Sequence, residues 1–256
     1  MFRIATWNVN SLRVRLPHVL DWLQTENPDV LALQETKLPD ENFPKEEFTA
    51  LGYHVICSGQ KTYNGVATIS KTAPENITTS LPDFTDTQKR VLCTEINGII
   101  ILNLYVPNGS EVGSEKYAYK LEWFSHLHPL VKNLVSTNKG LVVLGDFNVA
   151  PADRDVHDPA AWEGSVLVSE PERIEFRKLL ATGLTDSFRL FEQAEDSYSW
   201  WDYREASFRR NRGLRIDHIL VNNVLAKCCR SCRIDKRPRS LERPSDHAPV
   251  IAEFEL

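Results

Sequence analysis

Leu141-Val142-Val143-Leu144-Gly145-Asp146-Phe147-Asn148-Val149-Ala150-Pro151 joins a run of four apolar residues to a glycine, an acid and an amide. Unbroken Leu and Val predict a strand buried on both faces. Asp146 and Asn148 are two residues apart, so in extended chain their side chains point the same way. An acid and an amide are then expected together at the mouth of a core strand. Gly, Asp, Asn and Pro also form turns, so this segment alone leaves a plain strand-ending turn open.

The same grammar recurs outward along the chain. Strands are predicted over Arg3–Val9, Asp29–Leu33, Tyr53–Ser58, Gly65–Ser70, Val91–Ile96, Ile99–Tyr105, Leu214–Val221 and Pro249–Phe254. Helices are predicted over Pro17–Gln24, Pro44–Leu51, Ser114–Val135 and Arg173–Thr182. The longest carries Tyr117, Leu121, Phe124, Val131 and Leu134 near the helical period. The last opens on Ser169-x-x-Glu172, a capping-box start. Interleaved strands and helices, several strands hydrophobic throughout, indicate a layered α/β protein.

The 256 residues, 42% hydrophobic and 25% charged, suit a soluble globular protein. No repeat, low-complexity tract or Gly/Ser linker divides them, so one domain over 1–256 is expected. No apolar run approaches the ~20 residues that span a bilayer. The chain enters a strand at Met1-Phe2-Arg3-Ile4, leaving no room for a signal peptide, so a cytoplasmic protein is expected. Five cysteines have no framework spacing, and Cys229-x-x-Cys232 has no second pair to complete a zinc site. Net charge is −5, yet Arg204 to Arg243 holds twelve Lys or Arg against four acids, and the remainder holds 18 against 31. Such polarity suggests a basic face for a polyanion, although a charge run is also an ordinary solvated surface.

Polar residues follow or precede core strands in six places: Asn8 and Asn10; Glu35 and Lys37; Tyr105 and Asn108; Asp146 and Asn148; Asp217; and Ser245-Asp246-His247. Ligand sites in layered α/β proteins gather at strand ends, so these groups are expected to converge. An oxygen-rich set suits magnesium or manganese rather than zinc. No nucleophile elbow and no Gly-rich phosphate loop is present. A hard cation, amide donors and a carboxylate base together describe hydrolysis of a phosphate ester.

Six motifs carry a resemblance. They are Trp7-Asn8-Val9-Asn10-Ser11-Leu12-Arg13, Leu33-Gln34-Glu35-Thr36-Lys37, Tyr105-Val106-Pro107-Asn108-Gly109, Gly145-Asp146-Phe147-Asn148, Asn211-Arg212-Gly213-Leu214-Arg215-Ile216-Asp217 and Ser245-Asp246-His247. In this order the chain resembles the exonuclease III and abasic-site endonuclease branch of the endonuclease/exonuclease/phosphatase superfamily, most of all bacterial exonuclease III. The resemblance implies a four-layer α/β sandwich with two mixed β-sheets, DNase I-like, and a site at one rim. It implies Glu35 as metal ligand with Asn8 and Asp246 nearby, Asn10 as a further candidate, and a second metal position at Asp146, Asn148 and His247. It implies Asp146 as the group that positions or deprotonates water and Asn148 as a donor to the phosphate. His247, oriented by Asp217, would contact the phosphate, Tyr105 would serve the phosphate or leaving group, and Lys37 would support the metal ligands. Trp200, Leu214 and Ile216 match an apolar pocket for a baseless or 3′-terminal sugar. Asn108, Arg209, Arg210, Arg212 and His157 are the expected DNA contacts.

The implied activity is Mg2+- or Mn2+-dependent 3′–5′ hydrolysis of double-stranded DNA at nicks, recessed 3′ ends or abasic sites, by a monomer. Incision at internal abasic sites is the main alternative; a phosphatase of another substrate or an inactive DNA-binding module are distant ones. Two departures matter. Asn10 stands where some abasic endonucleases carry Asp, and Val156 to Glu172 contains no Lys or Arg but four acids, His157 and Trp162. A bulky His157 in an acidic loop is expected to disfavour internal abasic sites, unless it is an idle loop histidine.

Overall fold

Leu141, Val142, Val143 and Leu144 are fully buried, but they face two different cores. The computed structural model describes residues 1–256. Its strands are β1 (Phe2–Asn8), β2 (Val30–Gln34), β3 (His54–Ser58), β4 (Val66–Ser70), β5 (Glu75–Thr78), β6 (Val91–Ile96), β7 (Ile99–Tyr105), β8 (Gly140–Asp146), β9 (Leu184–Asp186), β10 (Asp217–Asn222), β11 (Cys229–Ile234) and β12 (Val250–Phe254). Its helices are α1 (Leu12–Glu26), α2 (Lys45–Thr49), α3 (Glu115–Ser136), α4 (Pro159–Trp162), α5 (Glu170–Ala181) and α6 (Asn223–Ala226).

The strands form two six-stranded sheets, β11-β12-β1-β2-β4-β3 and β5-β6-β7-β8-β10-β9. Each is mixed: β1/β2 and β7/β8 are parallel, and the other pairs are antiparallel. Val142 and Leu144 of β8 join Ile4, Ala32, Ile101 and Ile219 between the sheets. Leu141 and Val143 turn the other way, against Trp123, Phe124, Leu127 and Phe176 of α3 and α5. On the far side, Val19, Trp22 and Leu23 of α1 cover Trp7, Leu31 and Leu33. The result is the expected helix, sheet, sheet, helix sandwich. Near the site the sheets are also pinned by polar groups: Gln34 Nε2 donates to Asn103 Oδ1 at 2.7 Å, and Asn103 Nδ2 donates to the carbonyls of Leu33 and Ala67.

Several elements differ from the sequence reading. The first helix begins at Leu12, not Pro17, and runs through that proline. The lost N–H is one bond in fifteen residues, while burial of Leu12, Val19, Trp22 and Leu23 holds the helix on its sheet. β10 begins at Asp217 rather than Leu214, because Leu214 pairs with Val156 and Trp200 of the covering loops instead. The wholly exposed edge strand β5, the three-residue β9 and β11 have no clear apolar pattern and escaped the reading. On α3 the buried stripe runs Tyr117, Lys120, Phe124, Leu127 and Val131, so it includes a lysine.

Candidate active site

The topology brings the six motif groups to one rim. In the parallel pairs, carboxyl ends lie together: Asn8 is in register with Gln34, beside Glu35, and Tyr105 is in register with Asp146. β10 runs antiparallel to β8, so its first residue, Asp217, stands opposite Asp146. β12 runs antiparallel to β1, with Thr6 opposite Val250, and this sets Asp246 and His247 beside Asn8 and Asn10. Ser245 Oγ locks that approach by donating to the Asn8 carbonyl at 2.7 Å.

Local backbone turns then aim the side chains. The proximity of Asp146 and Asn148 is not that of extended chain, as the two-residue spacing suggested. The strand stops at Asp146, Asn148 has φ +50°, and its N–H donates to Asp146 Oδ1 at 2.9 Å. Asn8 and Asn10 repeat the device, with φ +41° at Asn10 and its N–H on Asn8 Oδ1 at 2.9 Å. A carboxylate or amide at the strand end caps its own turn, and Asn tolerates the left-handed conformation that results. Gly145, at φ +142°, lets β8 press on β7: a Cβ there would lie 1.9 Å from the Leu104 carbonyl oxygen.

Glu35, Asp146 and His247 each offer a ligand atom, all within 4.8 Å of one another. The Asn8 amide donates to Glu35 at 2.9 Å and to Asp146 at 2.8 Å, placing partial positive charge between the carboxylates. Burial, reinforced by Asp217 and Glu35, pushes the Asp146 carboxyl up to about 7 despite His247. The carboxylate oxygens gathered here fit a hard divalent cation. Burial lowers the His247 pKa, but Asp217 and Asp146 outweigh it and hold the imidazole at about 10. Its Nδ1 lies 2.9 Å from Asp217 and its Nε2 3.8 Å from Asp146. Tyr105 is buried beside Glu35 and Asp146, which keeps its phenol protonated well above the usual range.

Other expected residues fall close by. Lys37 Nζ is 2.9 Å from Glu35 and donates to Asn10 Oδ1 at 2.5 Å. Asp246 accepts from Asn10 Nδ2 and Trp200 Nε1, both at 3.0 Å, and lies outside the compact group of three donors. Asn108 Nδ2 donates to Asn148 Oδ1 at 3.1 Å. Next to the rim, a cavity of about 330 Å³ is walled by His157, Trp162, Trp200, Asp202, Arg204, Glu205, Ser207 and Arg212. Leu214 and Ile216, expected on that wall, are instead fully buried beneath it with Ala150, Val156 and Leu167. The loop carrying Val156 and Leu167 folds over them, because both are fully apolar and gain by leaving water.

The basic segment is less cationic than its composition. Arg204, Arg212, Arg215, Arg230, Arg233 and Arg237 are in ion pairs, and Arg239 is buried against Tyr203 and Phe208. Arg209 and Arg210 are exposed and make no ion pair. The sequence reading also missed Ser199, whose Oγ donates to Asp217 Oδ2 at 2.7 Å and accepts the N–H groups of Ile216 and Asp217. A lone serine outside any motif gave no signal. Lys120 was missed too, although a lysine on the buried stripe of a helix was visible in the spacing.

Comparison with known proteins agrees with this geometry. The model of the endonuclease/exonuclease/phosphatase family matches residues 5–247. Exodeoxyribonuclease III of Haemophilus influenzae is 38% identical over 98% of this chain and 99% of its own length. A solved 3′ phosphatase from Neisseria, bound to a product DNA hairpin, has a TM-score of 0.98 and 46% identity over 100% of both chains. An AP endonuclease from Archaeoglobus fulgidus has a TM-score of 0.97 and 40% identity, again over 100% of both chains. The family's match from the first strand to His247, on a rim built from six strand ends, and the near-full-length identity to exodeoxyribonuclease III mean that this chain belongs to the endonuclease/exonuclease/phosphatase family, on the branch of exodeoxyribonuclease III.

Proposed function

We propose that the chain, acting as one catalytic domain and as a monomer in the cytosol, is a DNA repair nuclease. It hydrolyses phosphodiesters at recessed or nicked 3′ ends of duplex DNA and leaves 5′-phosphates. The observation that carries this reading is the convergence of Glu35, Asp146 and His247, with Asn8, Asn148 and Asp217 against them. Mg2+ or Mn2+ would be held by Glu35 with Asn8 and Asp246 near, and would offset charge growing on the phosphoryl oxygens. Asp146, buried at the rim between Asn8 and His247, is the carboxylate placed to take a proton from the attacking water. His247, kept protonated by Asp217, offers N–H to a phosphate oxygen, and the Asn148 amide adds a neutral donor. Tyr105 keeps its proton for the departing oxygen.

A 3′-end preference over internal abasic incision is supported by the wall beside the rim. His157 packs edge-on to Trp162, which packs edge-on to Trp200, so bulky rings and the acidic loop narrow the approach. Low extrusion cost favours ends and lesions alike, so the preference between them rests on this wall. The test is cleavage of one labelled panel, with 3′ recessed, nicked, 3′-phosphate and internal abasic duplexes, in Mg2+, Mn2+ or EDTA. Metal-dependent loss of 3′ nucleotides, abolished in Asp146→Asn with duplex binding retained, is the expected result. An inactive parent protein on every duplex would sink the proposal.

A further inference from the structure

Lys120 lies in the second turn of α3 with no exposed side-chain surface, between the helices and the rim. An ammonium there is costly unless all its protons are bound. All three are: Nζ donates to Glu172 Oε1 at 2.5 Å, to the Asn148 carbonyl at 2.6 Å and to the Asn108 carbonyl at 3.0 Å. Glu172 is equally buried, in the first turn of α5. Its Oε1 also accepts the Leu167 N–H at 3.0 Å, and its Oε2 accepts the N–H and hydroxyl of Ser169. Every polar atom of the pair is therefore satisfied.

A pair of this kind is not needed for stability, since apolar side chains of similar volume pack a core as well or better. Leucine or methionine, however, would leave two carbonyls at the rim without a donor. Those carbonyls belong to Asn108 and Asn148, on the turns that end β7 and continue from β8, and the side chains of the two residues bond each other at 3.1 Å. The Asn148 turn also orients Asp146, through the Asn148 N–H on Asp146 Oδ1.

We infer that Lys120, held by Glu172, is a positioning residue for phosphodiester hydrolysis: it ties down the Asn108 and Asn148 turns and so aims the Asn148 amide and the Asp146 carboxylate. The inference rests on the nuclease reading and deepens it. Misplacement of catalytic groups by about 1 Å costs on the order of 100-fold in rate. Neither residue touches substrate, so the loss belongs in kcat and not in KM.

Lys120→Met alone leaves Glu172 buried without its cation and is expected to fold poorly. The informative protein is Lys120→Met combined with Glu172→Gln, in which both charges go and the Gln carbonyl still accepts from Leu167. Compared with the parent on a recessed 3′ duplex in Mg2+, it is expected to unfold cooperatively at a lower melting temperature, because the Asn108 and Asn148 carbonyls and the Ser169 N–H lose their partners, and to keep a nearly unchanged KM with kcat about 100-fold lower. Parental kcat in this folded double variant would overturn the inference. A second readout does not depend on activity: the side-chain NH2 resonances of Asn148 are expected to shift or broaden in the double variant. If the parent cleaves no duplex, the nuclease reading fails by itself, and unchanged Asn148 resonances would then be what overturns the positioning role.

Discussion

Asp146 and Asp217 stand opposite one another across the antiparallel pair of β8 and β10, both buried. Two carboxylates so placed are stable only with positive charge nearby, and His247 meets both, closer to Asp217. The two sides of one strand pair thus differ: Asp217 holds an imidazolium, and Asp146 accepts from the Asn8 amide that also donates to Glu35.

Asp217→Asn is expected to lower kcat by about 10- to 100-fold, the usual effect of losing a carboxylate behind an imidazole. Burial already opposes the charged imidazole, and Asp217 is the largest force raising its pKa to about 10. Without it, the alkaline limb of the kcat–pH profile should move to lower pH. A profile that keeps its limb would show that His247 is not held in this way.

Stability at low pH has a separate origin. His218 is buried; its Nε2 donates to the Val149 carbonyl at 2.9 Å and its Nδ1 accepts from Arg215 at 3.0 Å, which requires a neutral ring. Burial and Arg215 hold its pKa down, from 6.5 to about 4. Between those values the unfolded chain binds more protons, so this contribution is complete above pH 6.5 and is lost as pH falls toward 4. It amounts to roughly 3 kcal/mol. Urea midpoints measured across that window should fall less steeply for His218→Gln than for the parent.

Among the arginines expected to meet DNA, Arg209 and Arg210 have no ion-pair partner, whereas Arg212 is 3.7 Å from Glu205. Arg209→Ala with Arg210→Ala should weaken binding to all duplex sequences alike. The slope of log affinity against log salt should drop by about 2, roughly one for each phosphate no longer neutralised. Fluorescence anisotropy over a salt series reads this directly.

His157 closes the wall with Trp162, and its Nδ1 meets the Gly213 carbonyl at 3.2 Å. His157→Gly should raise the ratio of internal abasic to 3′ recessed cleavage by about 10-fold or more, a change of roughly 1.4 kcal/mol in relative barrier. Equal ratios before and after would make this residue a bystander.

The sequence alone determined the layered α/β class, the strand ends that carry chemistry and the residue types of the site. Those follow from local rules: unbroken Val and Leu demand two-sided burial, and polar residues at strand ends demand a turn. The motifs of the family resemblance added Glu35, Asn8, Asp146, Asn148, Asp217 and His247 as candidates for one site. Only the tertiary structure decided which of them touch, because pairings such as Asp217 with His247 depend on strand order and register. The same holds for charge. Arg215 looks in sequence like an exposed cation, and Lys120 differs only in its place on a helix's apolar stripe; each is buried because carboxylates distant in the chain, Asp155 and Asp186 for one and Glu172 for the other, fold in beside it. Burial of a charge is set by its partners in space, and those are not legible from its neighbours in the chain.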